Sequence, residues 1–195
     1  MGLKFLYTLL CLCILFPLPA KELYFRHIDL NDGFTQPSAI SVYQDAKGAI
    51  WFGNDNFNVY DGRIVRSFRL SNYLEEVEDN NIHGICGDGD SCIYMLANRR
   101  LVFFNMRTEE FRLTTVLAHT LEYRDGTLYY AYRNELYRYK SNGVSEKLCA
   151  LPDSTLIIKD LYYVNDGWLM ATTKGLYRFS DGTFQNLLEN ESITS

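Results

Sequence analysis

The sequence predicts an all-β fold, a β-propeller of four-stranded antiparallel blades. A unit of roughly 40 residues recurs four times, and in each copy a strand rich in large apolar residues precedes a strand that opens on Leu or Phe. The steps between copies are 43, 35 and 41 residues at the first position and 44, 35 and 40 residues at the second. The residues taken as equivalent are Trp51, Tyr94, Tyr129 and Met170 at the first position and Phe57, Leu101, Leu136 and Leu176 at the second. Short strands at this period indicate one sheet per repeat.

Turn residues divide each repeat into four strands. The first repeat alternates apolar and polar residues over 39–44, turns at 45–48, and continues with strands over 49–53, 57–60 and 64–68. Asp-Gly and Asn-Gly pairs mark the later turns because they supply the positive φ that tight hairpins need, and they are Asp61-Gly62, Asp125-Gly126, Asn142-Gly143, Asp166-Gly167 and Asp181-Gly182. The predicted blades span about 36–70, 80–115, 118–149 and 155–188. No helix is predicted, and the acidic residues Glu75, Glu76 and Asp79 are assigned to a solvated loop.

The first twenty residues have the pattern of a secretory signal. Lys4 supplies the positive start, an apolar run covers 5–16, and Pro17 to Ala20 ends the run with a helix breaker and a small residue. Twelve apolar residues are too few to cross a bilayer comfortably, so cleavage after Ala20 is preferred over a retained membrane anchor. An exported chain of residues 21–195 follows, which in a bacterium places it in the periplasm or beyond.

The charge balance excludes one class of partner. Without Lys4 the exported part has 18 basic and 24 acidic side chains, a net charge of −6. Nucleic acid is therefore excluded as a partner, because no basic stripe is present to neutralise phosphates. Aromatic residues make up 15% of the chain, with fifteen Tyr. Tyrosine suits half-buried strand faces and also carbohydrate-binding surfaces, where a flat ring meets a sugar and a hydroxyl hydrogen-bonds.

Three cysteines lie in the exported part. Cys86 and Cys92 flank a turn-rich segment, so a disulfide across the hairpin and two buried thiols are both compatible with an oxidising compartment. Cys149 has no evident partner. The spacing of the cysteines and of the three histidines, His27, His83 and His119, does not match a metal site, and no cofactor is predicted.

Residues 24–53, from Tyr24-Phe25-Arg26-His27-Ile28 through Asp32-Gly33-Phe34 to Gln44-Asp45 and Gly48-Ala49-Ile50-Trp51-Phe52-Gly53, resemble the opening of the two-component regulator propeller family. The resemblance is strong over 24–62 and weaker afterwards. The first blade has Gly53-Asn54 and Asn56-Phe57 where the family has Gly-Thr and Gly-Leu, whereas the fourth keeps Thr173 and Gly175-Leu176.

The resemblance implies the periplasmic ligand-sensing region of a hybrid two-component sensor, with oligosaccharides as typical ligands. Relatives carry two seven-bladed propellers, a membrane helix, a histidine kinase, a receiver and a DNA-binding module. This chain has no kinase or receiver motif, so signal transduction and transcription regulation would depend on domains outside it. Remaining propeller blades or a homodimer partner are the protein partners that the resemblance implies.

The ends of the sequence lead to a further expectation. Residues 190–195 resemble the entry to the first blade and are interpreted as the start of a fifth blade, which indicates part of a seven-bladed ring over a closed four-bladed one. Residues 23–28 alternate like a strand, are surplus to the first blade, and are predicted to close the ring.

Candidate site residues are few, and no catalytic residue is predicted. Trp168 could stack on a sugar, with burial between blades as the preferred interpretation, and Arg99 and Arg100 could bind an acidic sugar, with a solvated loop preferred. The recurring turn aspartates are assigned to hairpin capping, and they are Asp45, Asp88, Asp125 and Asp166. Two alternatives to a sensor remain: a secreted propeller lyase or glycosidase acting on polysaccharide, and a non-functional remnant of a truncated sensor gene.

Overall fold

The computed structural model describes residues 38–77, 81–140 and 142–188. Within them, sixteen strands form four antiparallel sheets of four strands each, and in every sheet the strands are neighbours in chain order. This arrangement confirms the predicted all-β fold and the predicted division into four blades. A single turn of 3-10 helix at Leu70–Asn72, which the sequence analysis did not predict, lies in the connection after the first blade.

The strand bounds agree with the predicted ones within two residues at most ends. The first blade comprises β1 (Ser41–Gln44), β2 (Ile50–Gly53), β3 (Phe57–Tyr60) and β4 (Val65–Phe68). The second comprises β5 (Ile82–Gly87), β6 (Cys92–Ala97), β7 (Arg100–Asn105) and β8 (Glu110–Leu117). The third comprises β9 (Thr120–Arg124), β10 (Thr127–Tyr132), β11 (Glu135–Tyr139) and β12 (Ser145–Ala150). The fourth comprises β13 (Ile158–Val164), β14 (Gly167–Thr172), β15 (Gly175–Ser180) and β16 (Thr183–Leu188).

The hairpin turns follow the residue types that the sequence supplies. Asp125-Gly126 and Asp181-Gly182 adopt left-handed φ at both positions, as a type I′ turn requires. The turn between β13 and β14 differs from the prediction, because Asn165 and Asp166 hold the left-handed positions, with φ of 46° and 58°. Gly167 is therefore the first residue of β14 rather than a turn residue.

The first strands of the four sheets form the inner edge of the molecule. β1 packs against β5, β5 against β9, and β9 against β13, as predicted for blades arranged around a common axis. The inner strands of the second, third and fourth blades are also each tied to the preceding blade by a backbone hydrogen bond near the start of the strand. Ile82 N donates to Asn54 O at 2.9 Å, Ala118 N to Arg99 O at 2.8 Å, and Ile158 N to Arg133 O at 2.8 Å. The acceptors all lie in the turn between the second and third strands of the preceding blade.

Apolar clusters fill the spaces between blades. The cluster between the first two blades contains Trp51, which stacks on Phe57 and contacts Phe104 of the next blade. The other two clusters lie between the second and third blades and between the third and fourth. The buried area is therefore divided among blade interfaces, as in other stacked-repeat proteins.

The equivalence assumed for Met170 is wrong. Trp51, Tyr94 and Tyr129 each face the following blade, with Tyr94 stacked on Tyr123 and Tyr129 in contact with Trp168. Met170 instead packs toward the third blade, which precedes its own. The strand register assigns Leu169 to the position equivalent to Trp51. Trp51 pairs with Val59, two residues after Phe57, and Leu169 pairs with Arg178, two residues after Leu176.

The connection after the first blade is anchored to the core. Glu75 and Glu76 are exposed, as predicted for a solvated loop, whereas Leu70 and Val77 on either side of them are buried in the cluster between the first two blades. Asp79 lies outside the described residues. The same is true of the predicted signal peptide at 1–20, the ring-closing strand at 23–28 and the start of a fifth blade at 190–195. In the part of the chain that the structure describes, no helix has the length and apolarity needed to cross a membrane.

Candidate functional site

An aromatic cleft opens between the second and third blades. It contains a cavity of about 230 Å³ whose lining residues are Tyr94, Phe103, Arg112, Tyr123, Gly126, Leu128 and Tyr139. A second cavity of about 250 Å³ adjoins it and is lined by Cys92, Phe103, Asn105, Glu110 and Arg112. Phe103 and Arg112 line both cavities. The two cavities are therefore treated as one site, here called the interblade cleft.

A small residue replaces a phenylalanine in the outer strand beside the cleft. In the second blade Phe104 pairs with Phe111, and in the fourth Phe179 pairs with Phe184, so a phenylalanine of the outer strand fills the space toward the preceding blade. The third blade has Ser145 at this position, opposite Tyr139. A serine side chain is too small to fill the space that a phenyl ring occupies at the other two interfaces, and a gap remains.

Aromatic rings line the cleft on both sides. The rings of Tyr94 and Tyr123 stack across the blade interface with centroids 5.2 Å apart and an interplanar angle of 16°. Phe103 contacts Tyr139 of the third blade at 5.3 Å, and the Arg112 guanidinium lies over the Phe103 ring at 4.2 Å. This cation–π contact orients the arginine along the wall of the cleft.

The two stacked tyrosines of the cleft keep their protons at neutral pH. Burial raises the pKa of the Tyr94 hydroxyl far above its usual range, and burial also raises that of Tyr123, with the Asp88 carboxylate adding to the effect. Both tyrosines therefore remain neutral hydroxyls. Arg112 is exposed and its guanidinium offers only hydrogen-bond donors.

The arrangement fits a flat, hydroxyl-rich ligand. Ring faces pack against the apolar face of a sugar, while tyrosine hydroxyls, Asn105, Glu110 and the Arg112 guanidinium can hydrogen-bond its hydroxyls. Each cavity is smaller than the roughly 300–1,000 Å³ of pockets that enclose a drug-sized ligand, so the cleft suits one or two rings of a longer chain.

The residues singled out in the sequence lie elsewhere. Trp168 is buried between the third and fourth blades, where Tyr129 and Tyr163 contact its ring at 4.7 and 5.0 Å, so it is not available as a sugar platform. Arg100 is the first residue of β7 and pairs with Glu76 at 3.0 Å. Arg99 is exposed in the turn before it, at the opposite end of the blades from the Asp125-Gly126 turn beside the cleft.

The two cysteines of the second blade are free thiols, so the disulfide that the sequence allowed is not formed. The register explains this result: Cys86 faces Tyr94, and Cys92 is the diagonal neighbour two residues before Tyr94. Diagonal neighbours are about 7–8 Å apart, beyond the Cα separation of most disulfides. Burial raises the pKa of both thiols, and it raises that of the Cys149 thiol to about 12.

The turn aspartates have structural partners. Asp88 accepts hydrogen bonds from the amides of the three residues after Gly89, and Asp45 accepts from the Lys47 and Ala49 amides. Asp125 and Asp166 occupy left-handed turn positions. Within the described residues, no group of three or more His, Cys, Asp or Glu side chains is arranged to hold a metal ion.

Sequence reasoning missed the cleft residues. Tyr94 was named only as a recurring position of the repeat, and Phe103, Arg112, Tyr123 and Tyr139 were not singled out. The one signal available was the exchange of an outer-strand phenylalanine for serine in the third repeat, and it becomes visible only when Ser145 is aligned with Phe111 and Phe184.

No family model and no curated protein matches the chain at the level of sequence. Solved structures do match. The extracellular domain of a protein assigned as a hybrid two-component system of B. thetaiotaomicron is similar with a TM-score of 0.68 at 14% identity, over 84% of this chain and 26% of that chain. The extracellular domain of a protein assigned as a one-component system of the same organism gives a TM-score of 0.64 at 18% identity, over 80% and 24%. Virginiamycin B lyase from Staphylococcus aureus gives 0.60 at 13% identity, over 75% and 54%.

The fold is a partial β-propeller. Four sequential four-stranded sheets and propeller neighbours establish it, including the β-propeller domain of Cps50 (Swd1) from Myceliophteria thermophila, with a TM-score of 0.58 at 11% identity. The described chain spans about a quarter of the length of the two B. thetaiotaomicron domains.

Proposed function

We propose that this propeller is part of the periplasmic sensor region of a hybrid two-component system and that it binds one or two rings of an oligosaccharide in the interblade cleft. The observation that carries the proposal is the cleft itself, where four aromatic rings and the Arg112 guanidinium line a cavity, with Ser145 paired to the lining residue Tyr139. Ring stacking supplies the affinity, and the guanidinium with the tyrosine hydroxyls selects the pattern of sugar hydroxyls.

Export and signalling complete the proposal. The similarity to extracellular domains of bacterial sensors and the secretory pattern of residues 1–20 both support a position outside the inner membrane. Because the cleft lies between two blades, ligand binding changes how firmly these blades are held together. That change would reach a phosphorelay through further propeller blades, a homodimer partner and kinase domains of the whole sensor.

A glycan array followed by calorimetry tests the proposal. Fluorescently labelled protein is first incubated with an array of neutral and acidic oligosaccharides, and any hit is titrated into the wild type and two variants. Ser145→Phe fills the cleft with the residue type of the second and fourth blades, whereas Ser145→Ala removes the hydroxyl and leaves the cavity open. We expect at least about tenfold weaker binding to Ser145→Phe and near wild-type binding to Ser145→Ala.

Two results would contradict the proposal. Equal affinity of wild type and Ser145→Phe would show that the ligand binds outside the cleft. Chain cleavage, detected by chromatography of the incubated oligosaccharide, would instead favour the polysaccharide-degrading enzyme considered in the sequence analysis.

A further inference from the structure

A second concentration of functional groups lies at the other end of the blades, where the inner strands begin. Arg99 and Arg133 occupy the turns between the second and third strands of neighbouring blades, and Lys159 is the second residue of β13. Two of the interblade hydrogen bonds fix them relative to one another, since the carbonyls of Arg99 and Arg133 accept from Ala118 and Ile158. His119 follows Ala118 directly, so it lies between the two arginine turns.

Among the described residues, 38–77, 81–140 and 142–188, none of the three cations forms an ion pair, and the Glu135 carboxylate near Arg133 is paired with Lys147. All three side chains belong to exposed residues. Five other arginines, by contrast, form ion pairs with carboxylates, and they are Arg66, Arg100, Arg107, Arg124 and Arg138. Asp160, next to Lys159, accepts from Thr120 Oγ1 at 3.1 Å and from its neighbour's amide. The positive charge of this cluster is therefore left without a paired carboxylate.

An aromatic pair adjoins the cations. The His119 and Tyr132 rings stack with centroids 5.4 Å apart and an interplanar angle of 14°, and the Arg133 guanidinium lies 5.6 Å from the centre of the Tyr132 ring. Burial lowers the pKa of His119, and the charges of Arg99, Lys159 and Arg133 lower it further. The surroundings of the imidazole are therefore positively charged, although the net charge of the whole chain is negative.

The backbone at both arginines favours a different residue. Arg99 has φ of 65° and Arg133 has φ of 54°, in the left-handed region where glycine and asparagine are preferred. Glycine would fit these turns with less strain. The presence of arginine at both positions indicates that the side chains, rather than the turns, account for the residue type.

We propose that Arg99, Arg133 and Lys159, with His119 and Tyr132 beside them, bind the carboxylate or sulfate group of an acidic sugar. A guanidinium presents two parallel N–H donors to such an anion, and an ammonium adds a third charge. The stacked His119 and Tyr132 rings offer an adjoining surface for the sugar ring. This site is separate from the interblade cleft and does not depend on it.

Nuclear magnetic resonance of the His119 imidazole tests the proposal on the full chain. The probes are inorganic sulfate and D-glucuronate, with D-glucose as the neutral comparison, all at constant ionic strength maintained with sodium chloride. His119→Gln assigns the signal among the three histidines of the chain. We expect sulfate, glucuronate or both to shift the His119 signal and raise its pKa, whereas glucose leaves both unchanged.

The melting temperature of each variant shows whether the variant is folded. Arg99→Gly with Arg133→Gly removes two cations and relieves two left-handed positions, so the melting temperature should be kept or raised while the anion affinity falls at least about tenfold. Lys159→Gln removes the third cation without changing a residue at a left-handed backbone position. Lys47→Gln, which removes an exposed cation at the other end of the first blade, should bind as the wild type does.

The outcomes separate the two acidic groups. A response to sulfate alone identifies a sulfated ligand, a response to glucuronate alone identifies a uronate, and either supports the site. Absence of any shift with both anions overturns the proposal, as does a shift of equal affinity in the wild type, the double glycine variant and Lys159→Gln.

Discussion

Trp51 donates its indole N–H to Oδ2 of Asp45 at 2.8 Å, and both residues are buried in the first blade. The other carboxylate oxygen of Asp45 accepts from the Lys47 and Ala49 amides. One side chain therefore shapes the first hairpin and positions the largest ring of the cluster between the first two blades.

Asp45→Ala is expected to destabilise the protein by about 3 kcal/mol, because it leaves a buried indole N–H and two turn amides without their acceptor. Chemical denaturation monitored by tryptophan fluorescence measures the loss. Asp61→Ala is the matched control, since Asp61 caps an exposed turn through the Arg63 and Ile64 amides alone. A cost no larger than that of Asp61→Ala would show that the Trp51 contact contributes nothing.

Gly53→Ala is expected to cost about 1–3 kcal/mol through overpacking. A Cβ at Gly53 would lie 2.7 Å from Ile82 Cβ and 2.7 Å from Ser41 Oγ, at the place where the second blade joins the first. At Gly84 the nearest atom to an added Cβ is 3.6 Å away, so Gly84→Ala should be tolerated. Thermal unfolding of the two variants makes the comparison, and equal melting temperatures would contradict the packing described for Gly53.

Ser145→Phe should raise the melting temperature, because the added ring fills a cavity lined by Tyr94, Leu128 and Tyr139. The gain is expected to be about 1 kcal/mol, reduced by the loss of the hydrogen bond between Ser145 and Tyr130. Differential scanning calorimetry of wild type, Ser145→Phe and Ser145→Ala separates the two contributions. A lower melting temperature for Ser145→Phe than for Ser145→Ala would mean that the cleft cannot accept a ring.

Stability should fall as pH drops below about 6.5, the ordinary pKa of histidine. His119 has a lowered pKa in the folded state because of burial and of Arg99, Lys159 and Arg133, so the unfolded chain binds the proton first. The contribution of His119 is complete above its unfolded pKa and decreases as pH falls toward its folded pKa. Urea denaturation across this range should show a weaker pH dependence in His119→Gln, and an unchanged slope would exclude this origin.

The outward face of the fourth blade should promote self-association. Tyr162 is 63% exposed there and pairs with Leu169, whose equivalents in the other blades all face a neighbouring sheet. Leu169→Lys is expected to lower the sedimentation coefficient at high protein concentration, because it puts a charge into the apolar patch. Val144→Lys alters an exposed apolar residue in an outer turn and should leave association unchanged. If both variants sediment alike, this face is not the site of contact.

The sequence analysis was accurate where a single residue type determines local geometry. Asp-Gly pairs located the turns at 125–126 and 181–182, and alternating residues located the strands, because backbone φ preferences and side-chain alternation act over a few residues. The analysis failed for Met170 because the segment from Trp51 to Phe57 is one residue shorter than the corresponding segments of the other three blades. Applying the first-blade spacing to the fourth blade therefore selected Met170 instead of Leu169. A shift of one residue in a strand reverses the face.

The cleft and the cationic cluster depend on contacts between repeats. Ser145 lies beside the cavity because its partner Tyr139 contacts Phe103 of the second blade, and Arg99 approaches His119 because the blades stack. Neither relationship follows from spacing along the chain. Trp168, considered in the sequence as a sugar platform, is buried for the same reason: its position between blades is set by the neighbouring sheet.

The hydrogen bonds from Ile82, Ala118 and Ile158 to the preceding blade run in one direction along the chain. When a chain appears from its amino terminus, during synthesis or during export, the acceptor carbonyl of each of these bonds appears before its donor amide. Each later blade can therefore dock on a blade that has already formed, and in these three bonds no earlier blade needs an acceptor from a later one. The order in which the blades appear and the order in which they can dock therefore coincide, which shortens the time during which an apolar sheet face is exposed to other unfolded chains.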